Sequence, residues 1–114
     1  MNTINIGLFG FGTVGQGIYK VIGRAANAHA EIKRICVRNL SKPRTVEVPA
    51  GLLTDNENDI LDDPSINLIV EVVDNAEASY RIVTSALKRG VPVVSGNKAM
   101  IARHLPELIE LQRR

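Results

Sequence analysis

The chain has one cysteine, Cys36, which excludes an intrachain disulfide and any cysteine-cluster metal site. Its two histidines, His29 and His104, stand far apart and do not suggest a metal site either. Tryptophan is absent and aromatic residues make up 4 %, so a base-stacking platform is not indicated. Neither sign of charge dominates: 14 Lys+Arg face 12 Asp+Glu, a formal net charge of +2. That balance makes no electrostatic case for a nucleic acid or an anionic membrane. No apolar run approaches the roughly 20 residues of a membrane span. The start, Met1-Asn2-Thr3, lacks the basic-then-apolar profile of a signal peptide. What is present is 45 % hydrophobic residues in 114, enough for one domain with its own core. The expectation is a single cytoplasmic domain over residues 1–114.

Short apolar runs alternate with helical patterns. Residues 3–9 read as a first strand, with Ile4, Ile6 and Leu8 on one face. Residues 13–26 read as a helix with Val14, Ile18, Val21, Ile22 and Ala25 inward. Strands are expected at 31–37, 52–54, 66–73 and 91–95, with a loop over 39–50. A short helical stretch over 56–62 should stop at Asp63-Pro64. Residues 76–89 form a further helix that Gly90 ends, and 105–113 a last one. The 66–73 run is apolar apart from Asn67 and Glu71, as in a parallel strand buried on both faces. This alternation predicts an α/β, Rossmann-like, doubly wound parallel sheet of order 3-2-1-4-5 with helices on both faces. Ligands of such sheets bind beyond the strands' carboxyl ends where the order reverses. The site is therefore expected over Gly10–Gly15, 73–76 and 95–98.

Gly10-Phe11-Gly12-Thr13-Val14-Gly15 fits G-x-G-x-x-G directly after a strand and at the start of a helix. In that setting Gly10 permits the tight turn, Gly12 a close approach of the backbone to a diphosphate, and Gly15 close packing of helix on strand. The free N–H groups of the helix start suit the phosphates. The alternative is a glycine-rich turn kept for packing alone. Dinucleotides are commonly gripped at the ribose by an acidic residue after the second strand. Here that strand leads to Arg38 and Asn39, with Lys42 and Arg44 close by and no acid before Glu47. An Arg there suits a 2′-phosphate, so NADP is expected as cofactor, with NAD the alternative.

The runs Gly7–Gly15, Val-Arg-Asn-Leu-Ser-Lys-Pro-Arg at 37–44, Ile-Val-Glu-Val-Val at 69–73, Leu-Lys-Arg-Gly-Val-Pro-Val-Val at 87–94 and Asn97-Lys98-Ala99 resemble the nucleotide-binding half of homoserine dehydrogenase. The resemblance covers nearly the whole chain. It implies NAD(P)-dependent interconversion of homoserine and aspartate 4-semialdehyde. It makes Lys98 the candidate catalytic residue, either exchanging a proton with the substrate oxygen or anchoring substrate or carboxamide. Asn97 and Ser95 become candidates for orienting the loop or bonding the cofactor.

Three departures accompany the resemblance. Asn39 stands where the family often has Asp. Asp74-Asn75 replace the usual Gly-Gly, so Asp74 is expected either to repel the diphosphate or to cap the following helix. The family's substrate domain is absent from these 114 residues, so homoserine is expected as a substrate only when that part is restored. The chain then reads as a fragment, inactive alone, with its fifth strand an open edge that favours a homo-oligomer. The competing functions are a stand-alone nucleotide-binding module and an engineered scaffold without catalysis.

Overall fold

In a computed structural model, residues 4–24 and 30–96 are described. The elements are β1 (Ile4–Phe9), α1 (Thr13–Arg24), β2 (Ala30–Cys36), β3 (Leu53–Thr54), α2 (Asn58–Leu61), β4 (Leu68–Glu71), α3 (Ala76–Lys88) and β5 (Val93–Ser95). The strands form one sheet of order β3-β2-β1-β4-β5, and every pairing is parallel. This is the expected order. The expected helix over 105–113 lies outside the described residues.

Alternation along the central strand splits the core in two. Ile6 and Leu8 join Phe11, Ile32, Ile35, Val37 and Val70, against which Ile18, Tyr19 and Ile22 of α1 pack. Phe9 faces the other way, with Ile60 of α2, Ile69, and Ile82 and Ala86 of α3. Ile32 and Ile35 are three apart yet share a face, because the β1–β2 register slips between Ile6 and Gly7 and leaves Lys33 unpaired. One extra residue restores the side-chain parity that strict alternation would break. Gly7 leaves room for α2: a Cβ there would overlap the Ile60 methyl.

The helix ends follow local chemistry. Asn75, at φ −93° and ψ 118°, caps α3 by accepting the Ala78 N–H at 2.9 Å. The alternative that made Asp74 the cap is thereby corrected by one residue. At the far end Val91 N–H donates to Ala86 and Gly90 N–H to Leu87, each at 3.0 Å, while Gly90 sits at φ 76°. This is a Schellman stop, which needs the left-handed conformation that glycine takes without strain. The inward face of α1 differs from expectation. Val14 and Val21 are 62 % and 67 % exposed, and the packed face is Gly15, Ile18, Tyr19 and Ile22. The i, i+3, i+4, i+7 stripe starts from a glycine, which carries no hydrophobic signal. The expected inward Ala25 lies outside the described residues. Strand β4 is shorter than the apolar run, but both its faces are buried as expected. Among the described residues no helix is long and apolar enough to cross a membrane.

Candidate functional site

The carboxyl ends of β1 and β2, the start of α1 and the turn after β4 enclose a cleft of about 480 Å³. It lies on the side of the sheet reversal between β1 and β4 that topology assigns to ligands. Gly10 leaves β1 at φ 101°, and its N–H donates to the Cys36 carbonyl at 2.9 Å, pinning the loop to β2. A Cβ on Gly10 would sit 3.1 Å from the Val72 carbonyl group, and one on Gly15 would overlap the Gly10 carbonyl oxygen. Those two glycines are required by the protein's own packing. Gly12 is different: it lines the cleft, and a Cβ there meets no atom within 4 Å. Its carbonyl accepts the Gln16 N–H at 2.9 Å, so Gly12 is the N-cap of α1. Behind it the first N–H groups of α1 have no intrahelical acceptor and carry the positive end of the helix dipole.

The expected site residues divide into three groups. Gly10, Phe11, Gly12, Thr13, Val14, Gly15, Arg38, Lys42 and Asp74 line the one cleft. Phe11 contributes through its backbone, since the side chain is buried with its ring edge-on to Tyr19 at 5.8 Å. Asn75 and Ser95 do not line it: Asn75 caps α3, and Ser95 Oγ donates to Glu71 Oε1 at 2.5 Å. Asn97 and Lys98 lie outside the described residues.

Arg38 and Lys42 are exposed at the cleft and have no carboxylate within ion-pair distance among the described residues. Arg44 also lines the cleft, but its guanidinium donates at 2.8 Å to the carbonyls of both Lys42 and Asn39. Asn39 Oδ1 accepts the Ser41 N–H at 2.9 Å, so this side chain shapes a turn. A second cavity of about 240 Å³ shares Cys36, Val37, Arg38 and Val73 with the cleft. It also holds Arg81, which is paired with Glu57 at 2.5 Å. Burial pushes the Cys36 thiol up to about 11, helped by the charges of Glu57, Asp55 and Asp59. It is therefore a protonated packing residue at neutral pH.

Two residues that carried no signal in the sequence organise the site. Glu71 is fully buried at the end of β4. Its carboxylate accepts Ser79 Oγ and Ser95 Oγ at 2.5 Å each and the Val73 N–H at 2.8 Å. It ties α3, β5 and the turn that floors the cleft to one point. Gln16, in the first turn of α1, donates to the Phe11 carbonyl at 3.0 Å. Its Oε1 accepts Thr45 Oγ1 at 2.9 Å and the Val46 N–H at 3.1 Å.

Comparison with known proteins places this geometry. The family model for the NAD binding domain of homoserine dehydrogenase matches residues 10–114. The homoserine dehydrogenase of Synechocystis sp. is 38 % identical over 113 residues, which are 95 % of this chain and 26 % of that protein. The Bacillus subtilis homoserine dehydrogenase is 33 % identical, over 96 % of this chain and 27 % of its own length. A crystal structure of S. aureus homoserine dehydrogenase superposes with a TM-score of 0.87 at 37 % identity, covering 99 % of this chain and 31 % of that one. A hyperthermophilic archaeal homoserine dehydrogenase in complex with NADPH superposes at 0.75 with 25 % identity, covering 98 % of this chain and 41 % of that one. The chain thus spans about a quarter of the length of the curated relatives it matches.

Proposed function

The chain belongs to the homoserine dehydrogenase NAD-binding domain family, and on that premise we propose that it is the cofactor-holding part of an enzyme interconverting homoserine and aspartate 4-semialdehyde, with NADP preferred over NAD. The observation that carries this reading is Gly12: its open side faces the cleft at the start of α1, where no packing demands a glycine. A diphosphate placed there takes its hydrogen bonds from the backbone N–H groups of the 12–15 turn. Arg38 and Lys42 stand at the same cleft without a carboxylate partner among the described residues, and supply the charge for a 2′-phosphate. The archaeal relative whose structure holds NADPH agrees in cofactor type.

When bound, the cofactor supplies hydride exchange with the substrate carbon. Lys98 follows β5 by three residues in the sequence. In this reading its ammonium holds or exchanges the proton of the substrate oxygen. Asp74 is exposed at the same cleft and weakens the diphosphate grip.

The test is Arg38→Ala with NADPH and NADH titrated in parallel. NADPH affinity should fall by about 1–3 kcal/mol, the range for a hydrogen bond to a charged group, with NADH much less affected. Equal losses for both cofactors would show that Arg38 does not read the 2′ position.

A further inference from the structure

Three cations surround the mouth of the cleft, yet they are not equivalent. Arg38 and Lys42 have no partner carboxylate among the described residues, while Arg44 spends both terminal nitrogens on carbonyls of its own loop. The same loop is held from its other end by Gln16, through Thr45 and Val46. Gln16 is in turn fixed by its bond to the Phe11 carbonyl, inside the glycine turn. A continuous chain of hydrogen bonds therefore runs from the glycine turn, through Gln16, to the loop that carries Lys42.

We propose that Gln16 and Arg44 are positioning residues that set cofactor choice, holding the 39–46 loop so that Arg38 and Lys42 meet the 2′-phosphate in a preformed arrangement. This rests on the reading that those two cations face that phosphate. Without the clasp, binding must first order an exposed loop and two long side chains, and each immobilised side chain costs about two- to tenfold in affinity. The cost falls on NADP, because NAD has no group there to recover it. Arg44 acts by its forked geometry, since only a guanidinium presents two donors in a fixed plane to two carbonyls. A lysine at 44 keeps the charge and loses the bridge.

The experiment measures the ratio of NADH to NADPH dissociation constants for the 114-residue chain and for Gln16→Met, Arg44→Lys, Arg38→Ala and Gln16→Met/Arg38→Ala. NADH binding in each variant reports whether the domain and its glycine turn are intact. Gln16→Met and Arg44→Lys should each lower the ratio about five- to tenfold. The double variant should lose less than the product of the two single losses, because both act on one phosphate site. A full ratio in Gln16→Met, with Arg38→Ala lowering it, would overturn the clasp and leave the phosphate reading standing. So would a full ratio in Arg44→Lys, which would make Arg44 a simple charge. A ratio unmoved by Arg38→Ala would overturn the phosphate reading and the clasp with it.

Discussion

Gly12→Val is expected to leave the domain folded and to remove cofactor binding. Gly12 has no positive φ, so valine meets no backbone strain, and beyond its chain neighbours its Cβ would have no described protein atom within 4 Å. The stability cost is confined to the cap: Gly12 accepts the first bond of α1, and valine is a poorer N-cap than glycine by roughly 1 kcal/mol. For a domain of this size that lowers Tm by about 4 °C. Binding responds differently, because three carbons enter the space through which the diphosphate reaches the helix start. Forcing such groups into occupied space costs up to ~3 kcal/mol, or about a 100-fold loss of affinity. Fluorescence titration with NADPH reads the loss, and thermal unfolding by circular dichroism reads the fold. Gly15→Ala is the contrasting control, since its Cβ overlaps the Gly10 carbonyl and it should destabilise the domain itself. A Gly12→Val chain that binds NADPH within threefold of the parent would refute the assignment of this turn to the phosphates.

Asp74→Asn should tighten both cofactors alike by a few-fold, with the gain shrinking as salt is added, because an exposed charge at the cleft acts through screened repulsion. Glu71→Ala removes the acceptor of two hydroxyls and one N–H in a buried position and should cost roughly 3 kcal/mol, read as a lower urea midpoint. Cys36 gives a pH dependence of definite sign. Its folded value, about 11, lies above the ordinary 9.0, so the unfolded chain loses that proton first. The contribution is fully present below about pH 9 and is lost as pH rises towards 11, an effect that Cys36→Ser should remove from alkaline unfolding curves.

Strand order was legible because it follows from the alternation of apolar runs and helices together with a fixed crossover hand. The glycine turn was legible because its three glycines lie within six residues, although Gly10 also meets Cys36 and Val72 across the fold. Other features depend on which atoms meet across the fold. Val14 and Val21 looked like core by helical periodicity, whereas the packed stripe begins at Gly15, which no hydrophobicity pattern marks. The slip at Lys33 is invisible until β2 is laid beside β1. Asp74 and Asn75 are equally good caps by type, and backbone geometry selected Asn75. Arg44 matched Arg38 and Lys42 in charge, and only its two carbonyl partners set it apart. Glu71 interrupted an apolar run without apparent purpose, because Ser79 and Ser95, its partners, are 8 and 24 residues away.

The central claim, that this cleft is a dinucleotide site, is tested most directly by titrating NADPH into the isotope-labelled chain and following backbone amide resonances. Saturable shifts at the amides of Gly12, Thr13, Val14 and Gly15, accompanied by Arg38 and Lys42 and strongest for NADPH over NADH, are the predicted result. Saturable shifts centred elsewhere in the fold, or none at millimolar NADPH with the spectrum otherwise folded, would contradict it.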